Sequence, residues 1–252
     1  MFDTWVLFVR AIKKLIRTPI LLFFSLFQPI IFLVLFTQLF KNFGQLPGFP
    51  GGNYLQFAVA GIILQNGFSS ALQSGTSIVD DLTSGFLQKV LVTPVNRSAI
   101  LLGRLLSDAF RVLVQSAIIL VLAFALGATV VTGIPGILLI FLTVAFFGLA
   151  WSGISLTIGL RTKSAETVFG IGGTLTFPLL FMSSALVPVG FMPGWIQTVS
   201  KLNPISYTVD AVRVLTSTGF DWGTILSAYA VIGGIAIVTL GATLYLFRKV
   251  VS

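Results

Sequence analysis

The sequence has 252 residues, of which 56% are hydrophobic and only 9% are charged. A soluble domain carries about 25% charged residues, and a soluble chain this apolar would expose large hydrophobic patches to water. The composition therefore predicts an integral membrane protein. The net charge of +8 is explained by the excess of Lys and Arg in cytoplasmic loops of membrane proteins, without a nucleic-acid partner.

Several kinds of catalytic and binding site are excluded by missing residues. The chain has no cysteine and no histidine, which excludes disulfides, Cys or His nucleophile systems and the usual zinc sites. It also lacks a G-x-x-x-x-G-K-[S/T] phosphate loop and a G-x-S-x-G elbow. We therefore expect no catalytic residues, no metal and no cofactor bound by this chain.

A basic amphipathic helix is predicted over residues 1–19. At 100° per residue, one face carries apolar side chains and the opposite face carries basic ones. The apolar residues are Trp5, Phe8, Val9, Ile12, Leu15 and Ile16, and the basic residues are Arg10, Lys13, Lys14 and Arg17. Such a helix lies in the membrane interface. A signal peptide is the alternative, but the apolar run that follows is too long and has no small-residue cleavage site.

Six apolar segments are long enough to cross a hydrocarbon core of about 30 Å. They are predicted at about residues 20–40, 54–78, 105–131, 137–160, 167–187 and 223–247. Loops are predicted between them, at 41–53, 80–103, 133–136 and 161–166, and residues 188–222 are predicted to be irregular. The fold class is therefore an all-α membrane protein with one transmembrane domain over residues 1–252. Pro29 predicts a kink in the first span.

The distribution of basic residues predicts the orientation. Twelve of the fifteen Lys and Arg residues lie in the N-terminal segment, in and beside the loops after the second and fourth spans, and at the C-terminus. Lys41, Lys201 and Arg213 lie on the other side. The positive-inside rule then places both termini in the cytoplasm, which agrees with an even number of spans.

The loop after the second span predicts a short surface helix over residues 80–92. Asp80 and Asp81 are the acidic residues that favour a helix N-terminus. Leu82, Phe86 and Val90 form an apolar stripe, and Thr93-Pro94 ends the helix. Such a helix is either a lever for a cytoplasmic partner or an interfacial connector between two spans.

The outward stretch 188–213 predicts two short helices broken at Asn203-Pro204. Neither is long enough to span a bilayer, which favours a re-entrant hairpin over an ordinary interfacial loop. Asp210 and Arg213 lie three residues apart on the second helix, close enough to form an ion pair.

Polar side chains inside two spans predict contacts other than lipid. The second span contains Gln65, Asn66, Ser69, Ser70 and Gln73, which we expect to face other helices or a cavity. In the third span, Arg104, Asp108 and Arg111 share one helix face. Because charges near lipid are usually paired, they predict a structural clamp at the cytoplasmic boundary, with an ion relay as the alternative.

Two motifs in this order resemble a known family. The first is Leu91-Val92-Thr93-Pro94-Val95-Asn96-Arg97, followed by Ile100-Leu101-Leu102-Gly103-Arg104. The second contains Pro193-Gly194-Trp195, Asn203-Pro204-Ile205-Ser206-Tyr207 and Asp210-Ala211-Val212-Arg213. Over essentially its whole length the chain resembles the permease subunit of type 2 ABC exporters, in the daunorubicin-resistance-like multidrug branch.

The resemblance implies a homodimer or a paired permease in the plasma membrane of a prokaryote. Two copies of a separate ATPase would bind ATP and magnesium on the cytoplasmic side. Residues expected to couple to that ATPase are Asp80, Asp81, Leu82, Gly85, Phe86, Leu87, Lys89, Val90, Leu91, Thr93, Pro94 and Arg97. Gln88 departs from the acid that relatives often carry there, so no salt bridge is expected from it.

The same resemblance implies a path between the permease halves and an extracellular gate. Candidates for the path are Gln65, Asn66, Ser69, Ser70 and Gln73, and for the gate Pro193, Trp195, Asn203, Pro204, Tyr207, Asp210 and Arg213. The implied function is export of a hydrophobic or amphipathic compound such as a drug, an antibiotic or a lipid. Alternatives are a polysaccharide, teichoic-acid or sodium exporter of the same fold, a membrane-embedded transferase, and an ATPase-independent channel or scaffold.

Overall fold

A computed structural model of the chain describes residues 19–50, 53–86 and 97–251, together with Val9, Lys13 and Lys89. In this part of the chain every regular element is helical. The helices are α1 (Pro19–Leu39), α2 (Tyr54–Thr83), α3 (Arg97–Ala125), α4 (Gly133–Thr162), α5 (Ala165–Phe181), α6 (Gly194–Leu202), α7 (Pro204–Ser217) and α8 (Trp222–Val251). Short 3-10 helices span Lys41–Gln45 and Val189–Phe191. Apart from Pro19, the predicted interfacial helix 1–19 lies outside the described residues, except for isolated positions.

The long helices identify a multi-pass membrane protein. Four of them, α2, α3, α4 and α8, are long and apolar enough to cross a membrane. Shorter apolar helical segments are Ser25–Leu39, within α1, and Ala165–Phe181, which is α5. A helix therefore lies at each of the six predicted segments, and Pro29 lies within α1 as predicted.

α2 is the central helix of the described bundle, in contact with α1, α3, α4, α5 and α7. Of the 18 most apolar consecutive residues of α2, 83% are buried inside the protein. Small residues allow α4 to approach closely: Ser155 Oγ donates to the Ala71 carbonyl, and a Cβ added at Gly75 would lie 2.5 Å from the Ser155 carbonyl oxygen. Beside them, Phe68 makes edge-on contacts with the rings of Phe147 and Trp151.

The helix α3 does not coincide with the predicted third span, residues 105–131. α3 begins at Arg97, so residues predicted as loop up to 103 are helical, and it ends at Ala125 although the apolar sequence continues to residue 131. Gly127 has a φ of +99°. The amides of Gly127 and Ala128 donate to the carbonyls of Phe124 and Ala123, which is the Schellman motif that ends a helix.

The connections on either side of α4 differ from the predicted ones: the one before it, residues 126–132, is longer, and the one after it is shorter. α4 begins at Gly133, so Pro135 lies in its first turn, where proline is tolerated. The connection to α5 contains only Lys163 and Ser164. Lys163 has a left-handed φ of 52°, and the Ser164 side chain caps α5 by accepting a hydrogen bond from the Thr167 amide.

The end of α5 also differs from the prediction, at Phe181 instead of 187. Residues 188–222 were predicted to be irregular with two short helices; they are mostly helical, and α6 and α7 are the two helices predicted there. The loop 41–53 is not wholly exposed, because Phe49 is buried against the rings of Tyr54, Phe57 and Phe191. An aromatic side chain of this size stabilises the loop through the apolar area that it removes from solvent.

Candidate functional site

The faces of α2 have different roles, set by the 3.6-residue period of the helix. Small residues face α4, and Leu72 lies against Gly172 of α5. Asn66, Ser70 and Ser74 recur every four residues and belong to the α3 face, where the two serines contact α3 directly. Gln65, Ser69 and Gln73 recur at the same spacing on another face; Gln65 is buried, whereas Ser69 and Gln73 are half-buried.

A charge cluster of Asp81, Arg104, Asp108 and Arg111 joins the end of α2 to α3. Arg104 Nη1 lies 2.6 Å from Asp81 Oδ2, and Arg104 Nη2 donates to the Ser74 carbonyl at 3.2 Å. Ser74 Oγ in turn donates to Asp108. The charge cluster therefore ties the two helices together, as the predicted clamp requires.

Arg111 continues the charge cluster one turn deeper. It pairs with Asp108 at 3.2 Å, and its Nε and Nη2 donate to the Ser70 hydroxyl and carbonyl at 2.9 and 2.7 Å. Ser70, a predicted path residue, is thus engaged in a contact between helices of the same chain.

The predicted helix start at Asp80 was wrong. Asp80 and Asp81 lie in the last turn of α2, which runs to Thr83. Gly85, with a φ of +69°, turns the chain, and Phe86 is helical again. Acidic side chains are unfavourable at a helix C-terminus, but the charge of Asp81 is compensated by its ion pair with Arg104. Of the predicted coupling residues, Leu87, Val90, Leu91, Thr93 and Pro94 lie outside the described residues.

The opposite end of the bundle carries the two short helices α6 and α7, here called the hairpin. Asp210 and Arg213 of α7 form the predicted ion pair, with Arg213 Nη1 2.8 Å from Asp210 Oδ1. Arg213 Nη2 also donates to the Ser184 carbonyl at 2.6 Å, while Ser184 Oγ donates to Asp210 at 2.7 Å. The guanidinium lies 3.8 Å from the centre of the Phe57 ring of α2, close enough for a cation–π interaction.

Asn203 fixes the joint of the hairpin. Its Oδ1 accepts a hydrogen bond from the Ile205 amide at 3.0 Å, capping α7, and its Nδ2 donates to the Leu179 carbonyl at 2.6 Å. Tyr207 spans the joint by donating to the Lys201 carbonyl at 2.9 Å. Trp195, by contrast, is 65% exposed, so the outer side of α6 presents a large aromatic ring to its surroundings.

The start of α2 is attached to the hairpin end by two more polar side chains. Gln56 Nε2 donates to the carbonyls of Thr129 and Thr216 at 2.5 and 2.7 Å, and Tyr54 donates to the Leu186 carbonyl at 3.1 Å. One continuous helix, α2, therefore connects the hairpin to the charge cluster.

Comparison with known proteins identifies the family of this chain. The sequence matches the family described as ABC-2 type transporter over residues 3–216. It is 31% identical to the daunorubicin resistance ABC transporter permease protein DrrB1 of Streptomyces coeruleorubidus over 243 residues, or 95% of this chain and 84% of that protein. It is 33% identical over 218 residues to the protein named transport permease ycf38 of Cyanophora paradoxa, covering 85% and 74% of the two chains.

This chain belongs to the ABC-2 type transporter family. A further relative, the doxorubicin resistance ABC transporter permease protein DrrC of Mycobacterium tuberculosis, is 28% identical over 209 residues, or 81% of this chain and 73% of that protein. The resemblance to daunorubicin-resistance permeases is thereby confirmed. The chain is an ABC exporter permease, a non-enzymatic transmembrane subunit, and ATP hydrolysis in this family belongs to a separate ABC ATPase.

Several residues that position the permease helices were not predicted from the sequence. Gln56 and Ser184 bridge segments that are far apart in the chain, and Gln115 of α3 donates to Ser25 of α1 at 2.6 Å. The available signal was a single polar side chain within an apolar helix, which predicts a polar contact without identifying its partner. The hairpin joint and the ion pair of α7 were predicted because both depend on residues close in sequence.

Proposed function

We propose that this ABC-2 permease exports a hydrophobic or amphipathic compound, such as a drug, an antibiotic or a lipid, across the plasma membrane of a prokaryote. In this proposal it acts as a homodimer with two copies of an ABC ATPase, which bind ATP and magnesium. The observation that supports it most is the family match over residues 3–216. The resistance names of relatives at about 30% identity support the class of cargo.

The proposed topology has six membrane crossings and both termini in the cytoplasm. α1 and α5 supply the two crossings beyond the four long helices. The positions of Arg161, Lys89 and Arg248 at one end of the bundle and Lys41 at the other support the orientation through the positive-inside rule. The charge cluster then lies near the cytoplasmic surface, and the hairpin lies near the outer surface.

The proposed coupling surface begins where α2 ends. Asp81 and Leu82 lie in the last turn of α2 and Gly85 and Phe86 follow it, so a force applied by the ATPase to residues 85–97 would reach α2 and α3 together. The Asp81–Arg104 ion pair supports this role because it joins both ends of the proposed coupling segment. At the other end of α2, the hairpin would close the exit, with Arg213 and Asn203 holding it against α2 and α5.

The proposed path follows the face of α2 that carries Gln65, Ser69 and Gln73. Ser69 and Gln73 are half-buried, whereas Asn66 and Ser70 are almost fully buried within one chain. Ser69 and Gln73 are therefore the predicted path residues that a second permease copy and the cargo could reach without unfolding α2. Their hydroxyl and carboxamide groups offer neutral hydrogen bonds to a polar group on an otherwise apolar compound.

The test uses the permease and its ATPase reconstituted in proteoliposomes and a panel of drugs and lipids. We expect at least one amphipathic compound to stimulate ATP hydrolysis, and Ser69→Leu to weaken that stimulation without lowering the basal rate. Ser227→Leu in α8 is the matched control, since both serines are half-buried and donate to a carbonyl of their own helix. Equal stimulation of both variants would overturn the path assignment, and failure of the permease to bind the ATPase would overturn the coupling proposal.

A further inference from the structure

The polar contacts between α2 and α3 form a regular antiparallel series. Ser74 of α2 contacts Asp108 of α3, and one turn further Ser70 contacts Arg111. This step moves four residues back along α2 and three residues forward along α3. One more step of the same helical period brings Asn66 to the level of Gln115.

The third helix at this level is α1. Gln115 Nε2 donates to Ser25 Oγ of α1 at 2.6 Å, so α1 contacts α3 at the level where the helical period places Asn66 of α2. This level is called the junction. Both carboxamides are deeply buried: Asn66 and Gln115 are each 1% exposed. The junction lies inside the bundle, one helical turn beyond the charge cluster.

At this junction the series of direct contacts stops. Within the described residues, neither Nδ2 nor Oδ1 of Asn66 has a hydrogen-bond partner, and neither does Oε1 of Gln115. Asn203 is buried to a similar degree, at 2% exposed. In contrast to Asn66, both Nδ2 and Oδ1 of Asn203 are hydrogen-bonded within the chain. Burial of polar atoms without a partner is energetically costly, so a bound group that satisfies the amides of the junction is favoured.

The unpartnered atoms specify the chemistry of that group. Asn66 Nδ2 needs an acceptor, whereas Asn66 Oδ1 and Gln115 Oε1 need donors. A single ion cannot serve both, and the nearest described charges, Asp108 and Arg111, are already paired with each other. A water molecule both donates and accepts, and buried waters typically make about three such bonds.

We infer that Asn66 and Gln115 hold a buried water site at the junction of α1, α2 and α3. Water there satisfies both carboxamides without bonding α2 directly to α3. α2 can then shift against α3 at this depth without breaking a direct hydrogen bond between the helices, while the charge cluster keeps the two helices paired one turn away. The inference depends on burial and hydrogen bonding in this chain and does not require the proposed cargo or ATPase.

The test is water-edited solid-state NMR on the full-length chain in lipid bilayers, labelled with ¹⁵N-asparagine. The sequence has five asparagines, Asn42, Asn53, Asn66, Asn96 and Asn203, so only five side-chain amides contribute. Serine substitutions of Asn42, Asn53, Asn96 and Asn203 assign the other four signals and leave that of Asn66. This assignment does not require an Asn66 variant to fold.

We expect magnetisation from water to reach the Asn66 side-chain amide several-fold faster than it reaches the partnered amide of Asn203. Its rate should approach that of the exposed Asn42. An Asn66 amide as slow as that of Asn203 would overturn the inference, because it would mean that the junction is dry.

Discussion

At the scale of single residues, buried charge has the largest energetic consequence. The side chains of Asp108 and Arg111 are only 11% and 16% exposed, and their ion pair is supported by Ser70 and Ser74. Such a pair is not itself strong evidence of stability, because desolvation of both charges offsets their attraction. Loss of one partner is different, since it leaves the other charge buried and uncompensated.

Arg111→Leu is therefore expected to destabilise the permease by about 3 kcal/mol, because Asp108 then loses its cation. The double variant Arg111→Leu/Asp108→Leu should be less destabilised than Arg111→Leu alone. The measurement is unfolding in mixed detergent micelles. Arg161→Leu, at an exposed position, is the control and should have little effect; equal losses at Arg111 and Arg161 would contradict the assignment.

Asp221 gives a prediction on pH outside the membrane-spanning helices. Hydrogen bonds from the Thr224 side chain, then from the backbone amides of Thr224 and Gly223, lower the pKa of Asp221 below its ordinary value of 3.8. A lowered pKa in the folded state stabilises the start of α8 above the unfolded pKa, and this contribution is lost as pH falls through the folded pKa.

The carboxyl ¹³C signal of Asp221 should therefore titrate at a lower pH in the wild type than in Thr224→Val, which lacks the hydroxyl donor. Asp221→Ala should increase hydrogen exchange at Gly223 and Thr224, because the side-chain cap is removed. Identical titration midpoints in the wild type and Thr224→Val would contradict this account.

At the scale of helices, the contact between α2 and α4 depends on small residues. A Cβ on Gly75 would lie 2.5 Å from the Ser155 carbonyl oxygen, and one on Gly159 would lie 2.6 Å from the Gly75 carbonyl oxygen. Both obstacles are backbone atoms, which a rotamer change does not move. Close packing of this kind is common between membrane helices, where small residues let backbones approach.

Gly75→Ala is accordingly expected to destabilise the permease by about 1–3 kcal/mol, the usual cost of overpacking. Gly241→Ala in α8 is the matched control, because a Cβ there meets open space. It should be neutral or slightly stabilising, since Ala is favoured over Gly within helices by about 1 kcal/mol. Thermal unfolding of the two variants in the same detergent compares them, and a lower melting temperature for the α8 variant would contradict the packing argument.

At the scale of the whole molecule, the proposed arrangement is six crossings with both termini in the cytoplasm. Four helices are long and apolar enough to cross a membrane. The chain crosses six times if α1 and α5 also span the bilayer, and four times if they do not. The topology decides whether the hairpin and the charge cluster lie on opposite membrane surfaces. The absence of native cysteine makes this question directly accessible, because each introduced thiol is the only one in the chain.

A membrane-impermeant maleimide should label Asn42→Cys, Val131→Cys and Thr218→Cys in intact cells. Arg161→Cys and Lys89→Cys should react only after the cells are permeabilised. The reason is that the first three positions lie in connections at the hairpin end, and the last two lie at the end with the charge cluster. Labelling of Arg161→Cys in intact cells would contradict the six-crossing topology.

Features that depend on nearby residues were predictable from the sequence alone. Composition indicated a membrane protein, apolar runs indicated the positions of six helices, and the i,i+3 spacing of Asp210 and Arg213 predicted their ion pair, because helix geometry determines which near neighbours meet. The ends of the helices were less predictable where an apolar run continues past a backbone turn, as at Gly127.

Only the tertiary structure decided which polar side chains lie inside the protein and what they contact. Hydropathy cannot separate lipid from protein interior, since both are apolar. The polar side chains of the second span predicted that α2 faces other helices or a cavity, but not which helices surround it. The division of its polar residues among the α3 contact, the half-buried face and the buried junction depends on helices far apart in the chain. Gln56, Ser184 and Gln115 became interpretable only once those helices were packed together.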